Sequence, residues 1–196
     1  MNQEQQWIRA AQQGDSAAFE QLLLLYQQKI YHLALRTCGD PHDAEEATQE
    51  AFLSAWKNLP SFRGESSFST WLYRLTVNAC NDLFRKNKAS AANVALEDEE
   101  AALQVPDTAP GPEESLQRKE TQRAVQDALQ QLSDEHRQVL LLRELQQLSY
   151  DEIAAVLDMD LGTVKSRIHR ARNQLREILL KTGTFSAELP SKGTER

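Results

Sequence analysis

"LSYDEIAAVLDMDLGTVKSRIHRAR", residues 148–172, joins two short helical patterns through a tight turn. Ser149 and Glu152 have the spacing of a capping box, in which two side chains satisfy backbone N–H groups at a helix start. This spacing predicts a helix over about residues 150–157, and "DMDLG" then turns the chain into a final helix over about residues 162–181. A short helix, a tight turn and a basic helix follow one another as in a helix-turn-helix.

The final helix has one apolar stripe and, opposite it, a face rich in hydrogen-bond donors. At 100° per residue the stripe consists of Val164, Ile168, Ala171 and Leu175. The opposite face carries Ser166, His169, Arg170 and Asn173, with Lys165, Arg172 and Arg176 on one flank and Arg167 on the other. A solvated amphipathic helix is the alternative, but it would mix charges of both signs to form i,i+4 pairs. The pattern favours DNA, because arginine suits a guanine edge, asparagine suits adenine and flanking cations suit phosphates.

The net charge of −7 conceals a segregated distribution. Residues 91–115 contain seven acidic and no basic residues, whereas residues 163–181 contain six basic residues and one acidic residue. The overall sign therefore does not exclude a nucleic-acid partner. Because 40% of the residues are apolar and only seven are glycine, the chain is expected to be globular rather than wholly disordered.

Helical periodicity extends over nearly the whole chain, and no segment alternates as a strand does, which predicts an all-α fold. Residues 1–86 are expected to form a four-helix N-terminal domain. Residues 87–115 are small, acidic and proline-bearing, and predict a flexible linker. Residues 116–181 are expected to form a second small helical domain that contains the helix-turn-helix. Residues 182–196 are expected to be a disordered tail, to which we assign no role.

The sequence also predicts a cytoplasmic protein that is not an enzyme. The N-terminus lacks a basic-then-apolar signal, and no apolar run, such as "LLLL" at residues 22–25, approaches the length needed to span a bilayer. No glycine-rich phosphate loop is visible, so we expect no cofactor and no small-molecule substrate. Cys38 and Cys80 have no metal-ligand neighbours, which favours buried free thiols over a disulfide or a metal site.

A carboxylate-bridged metal enzyme is a remote alternative. Its ligands would be His42, Glu45, Glu46 and Glu50. Di-metal helical bundles need a Glu-x-x-His motif on each of two helices, and this sequence has none. We therefore expect no metal site.

Aromatic and basic residues are interleaved in "FRGESSFSTWLYRLTVNACNDLFRK", residues 62–86. The buried stripe is predicted to be Leu72, Leu75, Ala79 and Leu83, and a second stripe consists of Trp71, Arg74, Asn78, Asn81 and Arg85. Aromatic faces stack on unpaired bases while cations follow the backbone. A flipped base also needs an amide and a closing loop, which Asn78 and the loop from Phe62 to Phe68 are suited to supply. Packing of Trp71 and Phe68 against a neighbouring helix is the alternative.

The third predicted helix, which ends at about residue 58, carries an acidic face. Ala44, Thr48, Ala51 and Ala55 are expected to point inward, whereas Glu46, Gln49, Glu50 and Leu53 share the opposite face with Trp56 beside them. An acidic patch with an outward leucine suggests a protein partner that bears basic residues. A solvated face with one stray leucine is the alternative.

Three of these stretches together resemble the sigma-70 family of bacterial transcription initiation factors, in its extracytoplasmic-function (ECF) group. "DAEEATQEAFLSAW", residues 43–56, looks like the segment that binds the polymerase clamp. Residues 62–78 are similar to the −10-recognition segment, and residues 148–172 to the helix-turn-helix that reads the −35 element. The resemblance covers about residues 5–86 and 116–180.

The resemblance implies a promoter-specificity subunit of RNA polymerase that binds promoter DNA in both duplex and single-stranded form. The clamp coiled coil of core RNA polymerase would be contacted by Glu46, Gln49, Glu50, Leu53 and Trp56. Unpaired −10 bases would be held by Phe62, Arg63, Phe68, Trp71, Arg74, Asn78, Asn81 and Arg85. The −35 duplex would be lined by Arg143, Thr163, Lys165, Ser166, Arg167, His169, Arg170, Arg172 and Asn173.

An anti-sigma factor, of a kind that is often anchored in a membrane, is a further partner that the resemblance implies. The linker would thread toward the active-site and RNA-exit channels of the polymerase. A dimeric helix-turn-helix repressor is the alternative function, but it leaves the stripe from Trp71 to Arg85 and the acidic face without a role.

Overall fold

Capping residues determine where most of the helices begin. The computed structural model describes residues 2–91 and 112–182, with side chains over 2–89 and 120–182. The described part is all-α, as predicted, and contains no strand. Its helices are α1 (Gln3–Gln12), α2 (Ser16–Cys38), α3 (Pro41–Asn58), α4 (Phe68–Ala91), α5 (Pro112–Gln130), α6 (Asp134–Leu140), α7 (Tyr150–Leu157) and α8 (Leu161–Lys181).

Aspartate side chains cap α2 and α3 in the first half of the chain. The carboxylate of Asp15 accepts hydrogen bonds from the first turn of α2, and that of Asp40 accepts one from the Asp43 N–H at 2.9 Å. Pro41 occupies the first turn of α3, where its missing N–H costs nothing. Gly39 ends α2 with a φ of 84°, a left-handed conformation that favours glycine.

Helices α2, α3 and α4 pack around one core, and α1 lies along α2. Leu22, Ile30 and Leu72 are fully buried in it. The predicted inward stripes are confirmed for Ala44, Ala51, Ala55, Leu72, Ala79 and Leu83, whereas Thr48 and Leu75 are half-buried. The small side chains of α3 permit close approach of α2 and α4.

The second half builds the helix-turn-helix. Ser149 and Glu152 form the predicted capping box, with Glu152 Oε2 accepting from the Ser149 N–H at 2.8 Å. The hydrogen bonds from Ser149 hold the pKa of Glu152 below its ordinary value. Helix α6 runs directly into a π-helical turn, Leu141–Leu145. Of the predicted α8 stripe, Val164, Ile168 and Ala171 are buried and Leu175 is half-buried.

Two helices extend into the segment that the sequence assigned to the linker. Helix α4 continues from residue 86 to Ala91, and α5 begins at Pro112. Lysine and alanine favour helix in the first extension, while proline and two glutamates suit the first turn of the second. The rest of the predicted linker, residues 92–111, and the predicted tail from residue 183 lie outside the described residues.

The two halves pack directly against each other through what we call the domain interface. Across it, Arg137 Nη1 donates to the Thr37 carbonyl at 2.7 Å, and Gln138 Nε2 donates to Asn81 Oδ1 at 2.6 Å. Thr70 Oγ1 also donates to Glu152 Oε1 at 3.2 Å. Beside these hydrogen bonds, buried apolar residues of both halves form one continuous core. The sequence analysis did not predict this interface.

Across the residues with described coordinates, every helix is too short or too polar to cross a lipid bilayer.

Candidate nucleic-acid and polymerase interfaces

Helix α8 presents the predicted donor face to solvent. Asp160 caps the helix by accepting from the Thr163 N–H at 2.8 Å, and hydrogen bonds from Thr163 lower the pKa of Asp160. His169, Arg170 and Asn173 are exposed, and His169 Nε2 lies 3.2 Å from Asn173 Nδ2. We call the set Lys165, Ser166, His169, Arg170 and Asn173 the α8 face.

Several predicted −35 residues already have partners within the chain. Arg172 pairs with Glu144 at 2.5 Å, and Arg167 pairs with Glu135 at 3.1 Å. The Glu partners come from other elements, so inspection of α8 alone could not find them. Exposed ion pairs of this kind contribute about 0–1 kcal/mol, so each cation can exchange its carboxylate for a phosphate at little cost.

Two cations of the α8 face, Lys165 and Arg170, differ from Arg167 and Arg172 because neither makes an ion pair with another described residue. Arg143, by contrast, is half-buried: its Nη1 donates to the Leu148 carbonyl at 2.7 Å and its guanidinium lies 5.0 Å from the Tyr150 ring centroid. Arg143 thus supports the turn before α7, and Arg170 has the side chain best placed to reach a ligand.

The loop aromatics form a cluster at the start of α4. Trp71 lies 5.0 Å from Phe62 and 5.7 Å from Phe68, measured between ring centroids. Phe68 also contacts Tyr26 at 5.5 Å and is only 4% exposed. The alternative of packing within the domain therefore holds for Phe68, which supports the cluster in this conformation and offers no free face. Trp71 and Phe62 remain half-exposed.

Three residues of the predicted second stripe of α4 face a cleft beside the domain interface. Arg74, Asn78 and Asn81 line this cleft of about 470 Å³ from one side, and Arg167 lies on the other. Asn78 and Arg74 are exposed, whereas Asn81 is held by Gln138. We call Trp71, Arg74, Asn78 and Asn81 the α4 stripe. Arg63 is exposed on the loop, and Arg85, near the end of α4, pairs with Asp82.

The acidic face of α3 is solvent-accessible, as predicted. Gln49 and Glu50 are exposed, and Leu53 is 52% exposed although it is apolar. Glu46 pairs with Lys86 Nζ at 3.1 Å, and the Trp56 ring packs 4.9 Å from Phe19. We call Gln49, Glu50 and Leu53, with Glu46 and Trp56 at its edges, the α3 face.

Arg137 lies at the domain interface, a position that its sequence context does not predict. Its guanidinium also donates to the carbonyls of Leu129, Gln130 and Leu132, and the residue is 5% exposed. Arg137 follows Ser133 in a polar first turn, a context typical of exposed side chains. The only local sequence signal for its burial is its position three residues before buried Leu140, because residues three apart lie on the same face of a helix.

No set of His, Cys, Asp or Glu side chains within the described ranges is arranged to hold a metal ion. The four residues of the metal-enzyme alternative form no such set: His42, Glu45, Glu46 and Glu50.

Within the described residues, two packed sets of helices make up the fold, and the second set contains a helix-turn-helix. Residues 22–90 match the family model for Sigma-70 region 2, and residues 122–175 match that for Sigma-70, region 4. The RNA polymerase sigma-H factor of Pseudomonas aeruginosa is 39% identical over 184 residues, covering 90% of this chain and 94% of that protein. The ECF RNA polymerase sigma factor SigW of Bacillus subtilis is 36% identical over 176 residues, covering 88% and 94%.

Solved structures agree with these relatives. The sigma factor RpoE from Bartonella quintana, in complex with the anti-sigma factor NepR, has a TM-score of 0.70 at 26% identity, covering 83% of this chain and 96% of that one. CnrH, in complex with the cytosolic domain of CnrY, has a TM-score of 0.67 at 26% identity, covering 92% and 99%. The chain belongs to the ECF group of the sigma-70 family. It is a non-enzymatic RNA polymerase sigma factor that acts in promoter-directed transcription.

Proposed function

We propose that this sigma factor divides promoter recognition among three surfaces: the α3 face binds core RNA polymerase, the α4 stripe holds unpaired −10 bases, and the α8 face reads the −35 duplex. The observation that carries this division is the exposed, carboxylate-free α8 face behind a capped helix and a short turn. The protein acts in the cytoplasm, where polymerase and chromosomal DNA are found.

Reading of the −35 element rests on the geometry of a helix in the major groove. A guanidinium can donate two hydrogen bonds to the O6 and N7 of guanine, and an amide can bind adenine. Arg170 and Asn173 are the candidates for these contacts because both are exposed on the groove-facing side of α8. Lys165, Arg167 and Arg172 flank them and are suited to phosphates, which set the position of the helix without reading sequence.

Capture of the −10 bases requires a stacking surface, an amide and a loop that can close. Trp71 and Phe62 supply half-exposed rings, and buried Phe68 holds both in place. Asn78 lies two helical turns after Trp71, with its amide exposed toward the cleft. A base that leaves the duplex can stack on the aromatic cluster and bond to this amide, so strand opening is driven by binding and needs no ATP.

Docking on polymerase rests on the chemistry of the α3 face. Exposed carboxylates next to an exposed leucine suit a partner that combines basic and apolar side chains. The clamp coiled coil of core RNA polymerase is the partner that the family resemblance supplies. Leu53 would be buried at the centre of such an interface, with Gln49 and Glu50 beside it.

The arrangement of the two domains suggests that the protein must open before it can use the α4 stripe. Asn81 is bonded to Gln138, and Asn78 faces a cleft whose other wall is the C-terminal domain. We propose that polymerase binding separates the domains, and that an anti-sigma factor holds them together. The relatives RpoE and CnrH, whose structures were solved with NepR and CnrY, support such a partner. Co-sedimentation of a tagged sigma factor with the membrane fraction would show that this partner is anchored in a membrane.

Replacing Arg170 by alanine is expected to weaken binding to −35 DNA by ~1–3 kcal/mol and to relax preference at one base pair, because a bidentate base contact is lost. The measurement is a binding titration of reconstituted holoenzyme against promoter fragments carrying each base in turn. Arg176→Ala is the matched control. Loss of a phosphate contact would weaken binding to all promoter sequences equally and would lower the salt dependence of binding. Unchanged discrimination by Arg170→Ala would remove the α8 face from the proposal.

Replacing Asn78 by alanine is expected to leave polymerase binding intact and to abolish discrimination at one −10 position, since the amide that reads the base is missing. Permanganate mapping of unpaired thymines in open complexes measures this loss. Asn87→Ala, exposed farther along α4 and outside the cleft, serves as the control. Normal opening and normal discrimination in Asn78→Ala would exclude Asn78 as the base-reading residue.

A further inference from the structure

The chain contains two cysteines, and the fold brings them together. Cys38 is the last residue of α2, and Cys80 lies near the middle of α4. Cys80 is fully buried in a small core cluster, and Cys38 packs against that cluster with its side chain half-exposed. The cluster is built largely from alanine, at positions Ala34, Ala44, Ala47 and Ala79. Small side chains let the helices approach closely, which leaves the two thiols as neighbours.

The half-exposed Cys38 side chain packs against the core cluster that contains the buried Cys80 side chain. The neighbouring Cys38 side chain and burial raise the pKa of the Cys80 thiol above its ordinary value. Two cysteines at one cluster are a starting arrangement for a disulfide, whose Cα atoms lie ~4.4–6.8 Å apart. Neither cysteine has a metal-binding cluster around it among the described residues.

A fixed positive charge lies beside Cys38. Arg137 donates to the carbonyl of Thr37, the residue before Cys38, and its guanidinium interacts electrostatically with the Cys38 sulfur. Oxidants react with the thiolate form of a cysteine that solvent can reach. Cys38 therefore combines access to solvent, a nearby cation and a second thiol within reach.

We propose that Cys38 and Cys80 form a reversible disulfide when the protein meets a disulfide oxidant such as oxidised glutathione. The Cys38 thiolate attacks one sulfur of glutathione disulfide, whose S–S bond breaks and releases a glutathione thiolate. The Cys80 sulfur then attacks Cys38, the mixed disulfide breaks, and a second glutathione leaves with the Cys80 proton. Both protein thiols are oxidised, and one glutathione disulfide is reduced to two thiols.

The disulfide would act on the domain interface. Thr37 and Asn81, which accept the hydrogen bonds of Arg137 and Gln138, are the immediate neighbours of Cys38 and Cys80. A covalent link between the cysteines fixes the spacing of these acceptors and so preorganises the closed arrangement. Transient disulfides of cytoplasmic proteins commonly serve redox sensing. This consequence rests on the proposed function, because it assumes that polymerase binding requires opening.

The test treats the full chain with oxidised glutathione and measures intact mass. Wild-type protein is expected to remain monomeric and to lose two hydrogen atoms, with dithiothreitol restoring them. Cys80→Ala is expected to carry one glutathione, because its Cys38 has no resolving partner, whereas Cys38→Ala stays unmodified because Cys80 is buried. A glutathione adduct that persists on the wild type, or a covalent dimer without the internal disulfide, would overturn the proposal.

Two further readouts separate the disulfide from the proposed function. Oxidised wild type is expected to unfold roughly 5 °C or more above the reduced form, since the link constrains the unfolded chain. It is expected to bind core RNA polymerase several-fold more weakly than the reduced form, and Cys38→Ala should show no such change. Equal binding by oxidised and reduced protein would refute the regulatory consequence. Failure of the reduced protein to bind polymerase would count against the proposed function instead.

Discussion

Replacing Glu50 by arginine is expected to abolish co-purification of the protein with core RNA polymerase. Glu50 is exposed on the α3 face, next to the exposed side chain of Leu53. Reversal of its charge places a cation against a basic partner surface and leaves that surface without its carboxylate. Changes of this kind at a desolvated charge pair cost ~2–5 kcal/mol, which is about 30-fold or more in affinity. The measurement is affinity capture of core enzyme by tagged variants, followed by fluorescence anisotropy.

Two matched variants test whether the loss of polymerase binding comes from the charge and the position of Glu50. Glu50→Gln keeps the shape and removes only the charge, so it should bind with intermediate affinity. Glu120→Arg makes the same charge change on the exposed surface of α5 and should bind as the wild type does. If Glu50→Arg captures as much core RNA polymerase as the wild type does, the α3 face is not the docking surface. This conclusion does not depend on the behaviour of the α8 face.

Local signals in the sequence account for the helices and for most of the core. The boundaries of α3 and α7 follow from the caps Asp40 and Ser149, each of which acts within a few residues along the chain. The helical period of 3.6 residues then separates buried Val164 and Ile168 from exposed His169. Such predictions succeed because capping and amphipathicity depend on neighbours in sequence.

The domain interface lies beyond this kind of reasoning. Its hydrogen bond from Arg137 to Thr37 spans 100 residues, and the bond from Gln138 to Asn81 spans 57. No helical wheel relates such pairs. The same limit explains Arg172, which finds Glu144 on another element. It also explains why the sequence does not predict the burial of Phe68. This candidate base-stacking residue is buried at the start of α4 because it packs against Tyr26 and the aromatic cluster.

The buried guanidinium of Arg137 shows how much the missed contact matters. It donates to three carbonyls at and just after the end of α5, and to Thr37 near the end of α2. The last carbonyls of a helix have no partner within the helix, and a cation there also offsets the negative end of the helix dipole. Burial lowers the pKa of the Arg137 guanidinium while Asp134, 3.3 Å away, raises it, and an arginine stays charged throughout the physiological range. One side chain thus caps helices of both domains.

Replacing Arg137 by methionine is therefore expected to destabilise the protein by ~3–5 kcal/mol, because a buried charge partner is lost and several buried carbonyls keep no donor. The three tryptophans, Trp7, Trp56 and Trp71, all lie before the linker, so their fluorescence follows the N-terminal domain. Far-UV circular dichroism follows the helices of both. In a urea titration the circular dichroism transition should begin at much lower denaturant than in the wild type. The fluorescence transition should move less, since only the contact with Thr37 is lost from that side.

Controls separate capping by Arg137 from the general effect of removing an arginine. Arg123→Met makes the same change at an exposed position of α5 and should leave both transitions in place. Arg137→Lys keeps the charge but lacks the planar fork that reaches several carbonyls at once, so its circular dichroism midpoint should lie between those of methionine and wild type. Coincident and unshifted transitions in Arg137→Met would mean that water or another side chain satisfies these carbonyls as well as the guanidinium does. In that case the domain interface would rest on the shared apolar core and on its other hydrogen bonds, which include those of Gln130, Gln138 and Glu152.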